Sequence, residues 1–144
     1  MSSSPRLMDC IFCRIVKGEA PAWRIYEDED FVVILDKYPA SHGHLLVVSK
    51  EHFVNILDAP LEKSAKGFEI ATRLAKAWAR LGAPAVNVVT NAGREAGQVV
   101  FHMHIHVIPR WGGKLLWHGR EEIKEEEARE VVEKLRSVLP EYFK

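Results

Sequence analysis

Residues 97–110 read Gly-Gln-Val-Val-Phe-His-Met-His-Ile-His-Val-Ile-Pro-Arg. His102, His104 and His106 alternate with Met103, Ile105 and Val107. Successive side chains of a β-strand point to opposite faces, so the spacing predicts a strand with three imidazoles on one face and three apolar groups on the other. The apolar face is accounted for as core. Strand rise would set adjacent imidazoles roughly 6 to 7 Å apart and the outer two roughly 13 Å apart, so one ligand group can meet two of them. Two chemistries compete for such a row: zinc binding by alternating histidines, or attack by a neutral imidazole on phosphorus or an acyl carbon.

Outward from this stretch, the chain of 144 residues has the length of one domain and enough apolar material, 47%, for one sizeable core. Its formal net charge is zero, which argues against a nucleic-acid partner but leaves room for a small nucleotide in a locally positive pocket. No apolar run approaches the roughly 18 residues of a membrane span, and the N-terminus has no hydrophobic signal core. Residues 1–8 are expected to form a disordered tail and 9–144 a single domain. A cytoplasmic location is the expectation.

Pattern and punctuation lay out the elements. Asp9 can cap a short helix from Cys10 to about Lys17, with Ile11, Phe12, Ile15 and Val16 buried. Strands are expected over 23–27, 31–35, 44–48 and 85–90, the second nearly all apolar and so buried on both faces. Pro60 opens a long helix whose inward face would comprise Leu61, Ala65, Phe68, Ala71, Leu74, Ala75, Trp78 and Leu81, ended by Gly82. After the histidine strand, stopped by Pro109, an irregular segment carries Gly112, Gly113 and Trp117. A last helix runs from Glu121 to about Leu139, with Ile123, Ala128, Val131, Leu135 and Val138 inward. The sum is an α+β fold with a sheet of roughly five antiparallel strands, packed by the long helix, plus an added C-terminal helix.

The only cysteines are Cys10 and Cys13. Their spacing reads as metal binding or redox chemistry, with a pair of buried apolar residues as the plain alternative. A closed structural zinc site needs four ligands, and His52 is a candidate third.

His102-Met-His104-Ile-His106-Val-Ile resembles the signature of the histidine triad (HIT) superfamily. Asn91-Ala-Gly-Arg-Glu-Ala-Gly-Gln98 resembles that family's glycine loop. The stretches Ile25 to Phe31, Leu35-Asp36 and Gly43 to Lys50 are similar to its N-terminal half. The resemblance implies the HIT fold and a nucleotide hydrolase or nucleotidyl transferase acting at the α-phosphate of purine nucleotide conjugates, either dinucleoside polyphosphates or adenosine phosphoramidates. It implies His104 as nucleophile, His106 at the phosphate and leaving group, and His44 beneath them. Asp36 would hold the ribose. Asn91, Gly97, Gln98 and Val99 would surround the nucleotide, Gln98 also bracing the loop. Val99 replaces the Ser or Thr of many relatives and keeps only its backbone amide. Relatives with the cysteine pair imply a structural zinc on Cys10, Cys13, His52 and His102, with no organic cofactor. A homodimer is implied, with the long helix and the 85–90 strand as its interface.

Arg110 and Trp111 follow the triad as in polyphosphate-processing relatives, and Trp111 could stack on a base or a partner subunit. His42 and His118 match nothing and read as surface histidines. Two rival readings remain: a metal hydrolase with zinc on all three triad histidines, and a nucleotide-binding interaction module with vestigial catalysis.

Overall fold

A computed structural model describes residues 10–144. The expected tail, and Asp9 with its expected cap, lie outside the described residues. The order is α1 (Ile11–Val16), β1 (Arg24–Glu27), β2 (Phe31–Leu35), β3 (Leu45–Ser49), α2 (Leu61–Arg80), β4 (Ala85–Val89), a 3-10 turn at Arg94–Ala96, β5 (His104–Arg110) and α3 (Glu125–Tyr142). The five strands form one antiparallel sheet in the order β1-β2-β3-β5-β4. This matches the expected architecture.

The sheet's two faces do different work because strand side chains alternate. Phe31, Val33 and Leu35 of β2, Leu45 and Val47 of β3, and Ile105 and Val107 of β5 face one side. There they pack with α2 and with Val131 and Leu135 of α3. Val32, Ile34, Leu46 and Val48 face the other side, against Phe12 and Ile15 of α1. The register pairs Leu46 with His106 and Val48 with His104, so both histidines belong to the α1 side. That side is only partly covered, and the uncovered part is the functional cavity.

Four expectations are corrected. First, the α1 cap within the described residues is Cys10, whose Sγ accepts from the Cys13 amide. Ile11 is exposed rather than buried.

Second, α2 is rotated relative to the expected face: its buried residues are Gly67, Ile70, Ala71, Leu74, Ala77 and Trp78. Leu61 is 88% exposed and Phe68 36%. The reason is Gly67. A Cβ there would stand 2.9 Å from Ile105 Cδ1 and 3.1 Å from a Phe31 ring carbon, so the bare backbone lets the helix sit down on the sheet along that line. Phe68 on α2 and Val88 on the edge strand β4 remain exposed on the surface expected for dimerisation.

Third, β5 begins at His104, so His102 precedes the strand. The Met103 amide donates to the Phe53 carbonyl (2.7 Å) instead of entering the ladder.

Fourth, Pro109 does not stop β5, which continues opposite Val86 and Ala85 of β4. Pro109 lies past the last pairing with β3, Leu45 with Val107, so its missing N–H removes no bond from that ladder. α3 starts later than expected, at Glu125, with Ala128, Val131, Leu135 and Val138 inward as expected and Val132 and Leu139 added. No helix among the described residues is long and apolar enough to cross a membrane.

Candidate active site and metal centre

A cavity of about 910 Å³ opens on the α1 side of the sheet. Its apolar half is walled by Phe12, Ile15, Ala22, Trp23 and Ile34. Its polar half holds Asp36, His44, Asn91, Gly97, Val99, His104 and His106. Asp36 follows β2 directly, and Gly43 turns the chain into β3 with φ of +90°, its α-carbon pressed to Trp78 where a Cβ would stand 2.4 Å from the indole. That turn aims His44 inward, where it is buried. Gly97, with φ of +93°, closes the loop that lays Val99 along the cavity, and Val99 is 73% exposed to it and to solvent.

Gln98 does not line the cavity. It is buried; its Oε1 accepts from Gly93 N–H (2.8 Å) and Asn55 Nδ2 (3.1 Å), and its Nε2 donates to the Val54 (2.6 Å) and Val100 (3.1 Å) carbonyls. Its polar atoms are fully engaged, so it braces the loop and has no group to offer a nucleotide.

The hydrogen bonds assign a proton to each histidine. His44 Nδ1 accepts from the Ala40 amide at 2.9 Å, so a neutral His44 carries its proton on Nε2. That N–H faces His106 Nδ1 at 2.9 Å and donates to it, which leaves the His106 proton on Nε2. His104 Nδ1 lies 2.6 Å from the His102 carbonyl, which only an N–H can satisfy, so its Nε2 is a bare lone pair. His102 Nε2 likewise donates to the Ser49 carbonyl at 2.7 Å and presents a bare Nδ1. The Thr90 hydroxyl donates to the His104 carbonyl (2.7 Å) and Phe12 packs edge-on against the His104 ring at 5.0 Å; neither contact is visible in the sequence pattern.

Burial keeps these rings neutral. It pushes His44 down to about 3 and His106 down to about 4, with neighbouring histidines adding to both shifts, and it lowers His104 as well. Asp36 Oδ2 stands 3.5 Å from His44 Nε2, but with His44 neutral the two form no ion pair. Burial raises the Asp36 carboxyl.

Stability should follow from these shifts. An unfolded histidine titrates near about 6.5, above the folded values, so the unfolded chain binds more protons between the two. The contribution is complete above pH 6.5 or so and is lost as pH falls toward the folded values, about 2 kcal/mol for His44 and for His106 by pH 5. Urea midpoints should therefore fall between pH 7.5 and 5, and His44→Gln, which cannot titrate, should recover part of that loss. Equal pH slopes in the two proteins would contradict it.

At the strand's beginning stands a second cluster. The donor atoms of Cys10, Cys13, His52 and His102 all lie within 4.8 Å of one another. His102 Nδ1 is 3.2 Å from Cys10 Sγ, 3.5 Å from Cys13 Sγ and 3.1 Å from His52 Nδ1, and Cys13 Sγ is 3.2 Å from His52 Nδ1. A tetrahedral zinc would set nitrogen–nitrogen edges of about 3.3 Å and nitrogen–sulfur edges of about 3.6 Å, so the cage has the right shape and is slightly contracted. Burial, with Cys10 adding to it, pushes the Cys13 thiol up to about 12. A bound cation reverses that preference and takes the thiolate.

The three triad histidines do not converge on one point. His102 turns its free nitrogen to the cysteines, and His104 and His106 face the cavity. A single metal on all three is therefore excluded by the geometry. Asp36, His44 and His106 also stand close together, but the His44–His106 bond occupies the nitrogens that a metal would need.

The comparisons with known proteins agree with this geometry. The family model of the HIT domain matches residues 17–113. The chain belongs to the HIT family. HIT proteins form a superfamily of nucleotide hydrolases and transferases, and the fold and the cysteine–histidine cluster described above fit it. An uncharacterized HIT-like protein of Mycobacterium tuberculosis is 48% identical over 110 residues, which cover 75% of this chain and 76% of that one. An adenylylsulfatase of Arabidopsis thaliana is 38% identical over 118 residues, covering 81% of this chain and 60% of that one. The crystal structure of a zinc-bound histidine triad family protein from Mycobacterium smegmatis superposes with a TM-score of 0.80 at 43% identity, covering 91% of this chain and 96% of that one.

The C-terminal segment was not legible as part of the site. Trp117, His118, Gly119, Glu122 and Ile123 line the cavity. His118, expected at the surface, is exposed but on the cavity's rim, while His42 pairs with Glu127 of α3 at 2.8 Å. No spacing in the sequence signals this return; it depends on where β5 ends and where α3 must dock.

Proposed function

We propose that this HIT protein cleaves nucleotide conjugates at the α-phosphorus through a covalent nucleotidyl-His104 intermediate, with a structural zinc on Cys10, Cys13, His52 and His102. The observation that carries the reading is the proton arrangement at the cavity: a bare Nε2 on His104 beside an Nε2–H on His106. One is a nucleophile at neutral pH and the other is a hydrogen-bond donor for the leaving atom.

In the first step the His104 Nε2 lone pair attacks phosphorus, and the bond from phosphorus to the leaving oxygen or nitrogen breaks. His106 donates a hydrogen bond from its Nε2–H to the departing atom and stabilises the charge that gathers there; a phosphate or sulfate leaves as the anion, and an amine takes its proton from solvent. In the second step a water attacks phosphorus and gives up its proton to solvent. The P–N bond breaks, His104 recovers its lone pair and a nucleoside monophosphate departs. Each half has a lower barrier than direct hydrolysis. The His102 carbonyl holds the His104 proton on Nδ1 throughout and supports the positive charge that ring acquires.

Asp36 is positioned to accept from ribose hydroxyls, and the apolar half of the cavity suits a purine ring. Asn91 and the loop amides from Gly97 to Val99 would meet the phosphoryl oxygens. The substrate class comprises dinucleoside polyphosphates and adenosine phosphoramidates. The similarity to an adenylylsulfatase adds nucleotide–sulfate anhydrides to it. Zinc, when bound, ties α1 to the segment that carries His102.

Incubation with a panel of such conjugates and mass analysis of the products tests the reading. The expected result is a nucleoside monophosphate and, in single turnover quenched in base, a chain heavier by one nucleotidyl group on His104. Nucleotide affinity with no product from any conjugate would instead favour the binding-module reading.

A further inference from the structure

The segment from Trp111 to Lys124 leaves the sheet at the end of β5 and crosses back over the cavity before α3 begins. It is tied down at three places. Arg110, buried at the end of β5, holds Asn87 Oδ1 with Nε and the Leu116 carbonyl with Nη1, both at 2.8 Å, and lies 4.9 Å from the centre of the Trp117 ring. Gly119 passes so close to the 38–39 backbone that a Cβ would stand 2.1 Å from the Pro39 carbonyl oxygen. The Ile123 amide donates to the Lys37 carbonyl at 2.8 Å. His118 sits between the first and second of these ties, so its position over the cavity is set by the backbone on both sides.

Two further observations concern charge. His118 lines the cavity together with Asp36, His44 and His106, which sets its ring at the polar half. Arg110 Nη2 is buried with no hydrogen-bond partner, and the Arg110 charge also reaches His44. Arg110 lies behind the Trp117 ring and outside the cavity lining, so among the described residues Lys37 is the one lysine or arginine that lines the cavity, with Asp36 and Glu122 as its carboxylates.

We propose that His118 is a specificity-determining residue that contacts the anionic group attached beyond the α-phosphorus, so that conjugates with a charged leaving group, such as a second phosphate or a sulfate, are preferred over those with a neutral amine. An imidazole can do this in either protonation state, with one N–H donor when neutral and two when charged. Val99 offers no hydroxyl to that group, so the strap supplies the polar contact that the loop lacks. This inference rests on the α-phosphorus reading above for the orientation of the ligand, but not on turnover.

The decisive experiment is a binding comparison. Calorimetric titration of AMP and of ADP into the full chain gives the ratio of the two affinities, and the extra phosphate of ADP occupies the place of the leaving group. His118→Ala should lower the preference for ADP about tenfold, and His118→Lys should keep most of it. The same pair of variants should shift kcat/KM for adenylyl sulfate relative to adenosine phosphoramidate in the same direction. An unchanged ADP-to-AMP ratio in His118→Ala, or an equal loss for both nucleotides, overturns the assignment. If the wild-type chain cleaves neither conjugate, the hydrolase reading fails by itself, and the affinity ratio still judges His118.

Discussion

Replacing His104 by alanine should lower kcat by at least about a thousandfold, while nucleotide affinity should stay within a few-fold of wild type. The rate effect follows from removing the atom that forms the bond to phosphorus, since the remaining site can only orient the substrate. The small binding effect follows from geometry: Asp36, Asn91 and most of the apolar wall, Ile15, Ala22, Trp23 and Ile34, stand on elements other than β5, while Phe12 of that wall packs edge-on against the His104 ring. The ring does fill space beside Phe12, so His104→Asn is the better probe of binding, as it retains a polar side chain there. His106→Ala should cost less, on the order of a hundredfold, because it removes a hydrogen-bond donor rather than the nucleophile. The loss should also be smaller for conjugates whose leaving group is already a stable anion. Stopped-time assays on all three variants, with matched titrations, check this ordering. Near-normal activity in either His104 variant rejects the nucleophile assignment.

Cys10→Ser should strip the metal and loosen the fold. Bound metal should drop from one ion per chain to a small fraction of that, and the protein should lose about 3 kcal/mol, or roughly 10 °C in Tm. The effect is large because the cluster joins three distant parts of the chain: α1 at Cys10 and Cys13, the loop at His52, and the start of β5 at His102. Elemental analysis and thermal melts of the variant and of chelator-treated wild type read it out. A variant that keeps its metal would place the ion elsewhere, and one that loses it with no change in Tm would make the cage incidental to the fold.

Much of this was legible in residues 97–110 because strand periodicity survives in the folded chain. Ile105 and Val107 are in the core, and His104 and His106 face the other way. The apolar run Phe31 to Leu35 was readable for the same reason: a strand covered on both faces needs no polar alternation. His102 was harder to place. Its sequence spacing is identical to that of its neighbours, but the Phe53 carbonyl takes the Met103 amide, and the strand begins two residues after the pattern does. Gly67 defeated the reading of α2, because a position with no side chain scores as neutral while it in fact marks the tightest contact with the sheet. Gln98 was expected beside the nucleotide and as a brace of the loop; its bonds to Asn55 and Val54, more than forty residues away in sequence, fit the brace. The strap over the cavity had no local signature at all.

The hydrogen bonds of His44 and the three triad histidines have a consequence for order. Each neutral ring has two tautomers, so His44, His102, His104 and His106 together offer roughly sixteen arrangements. Three carbonyl-or-amide contacts from the main chain, at Ala40, Ser49 and His102, and one ring-to-ring bond leave a single arrangement. In a site where the protons were free to choose, the competent state would be one member of that set, at a cost of about 1.6 kcal/mol, or more than tenfold in rate. Here the selection is made once, when the backbone folds, by atoms that every amino acid possesses.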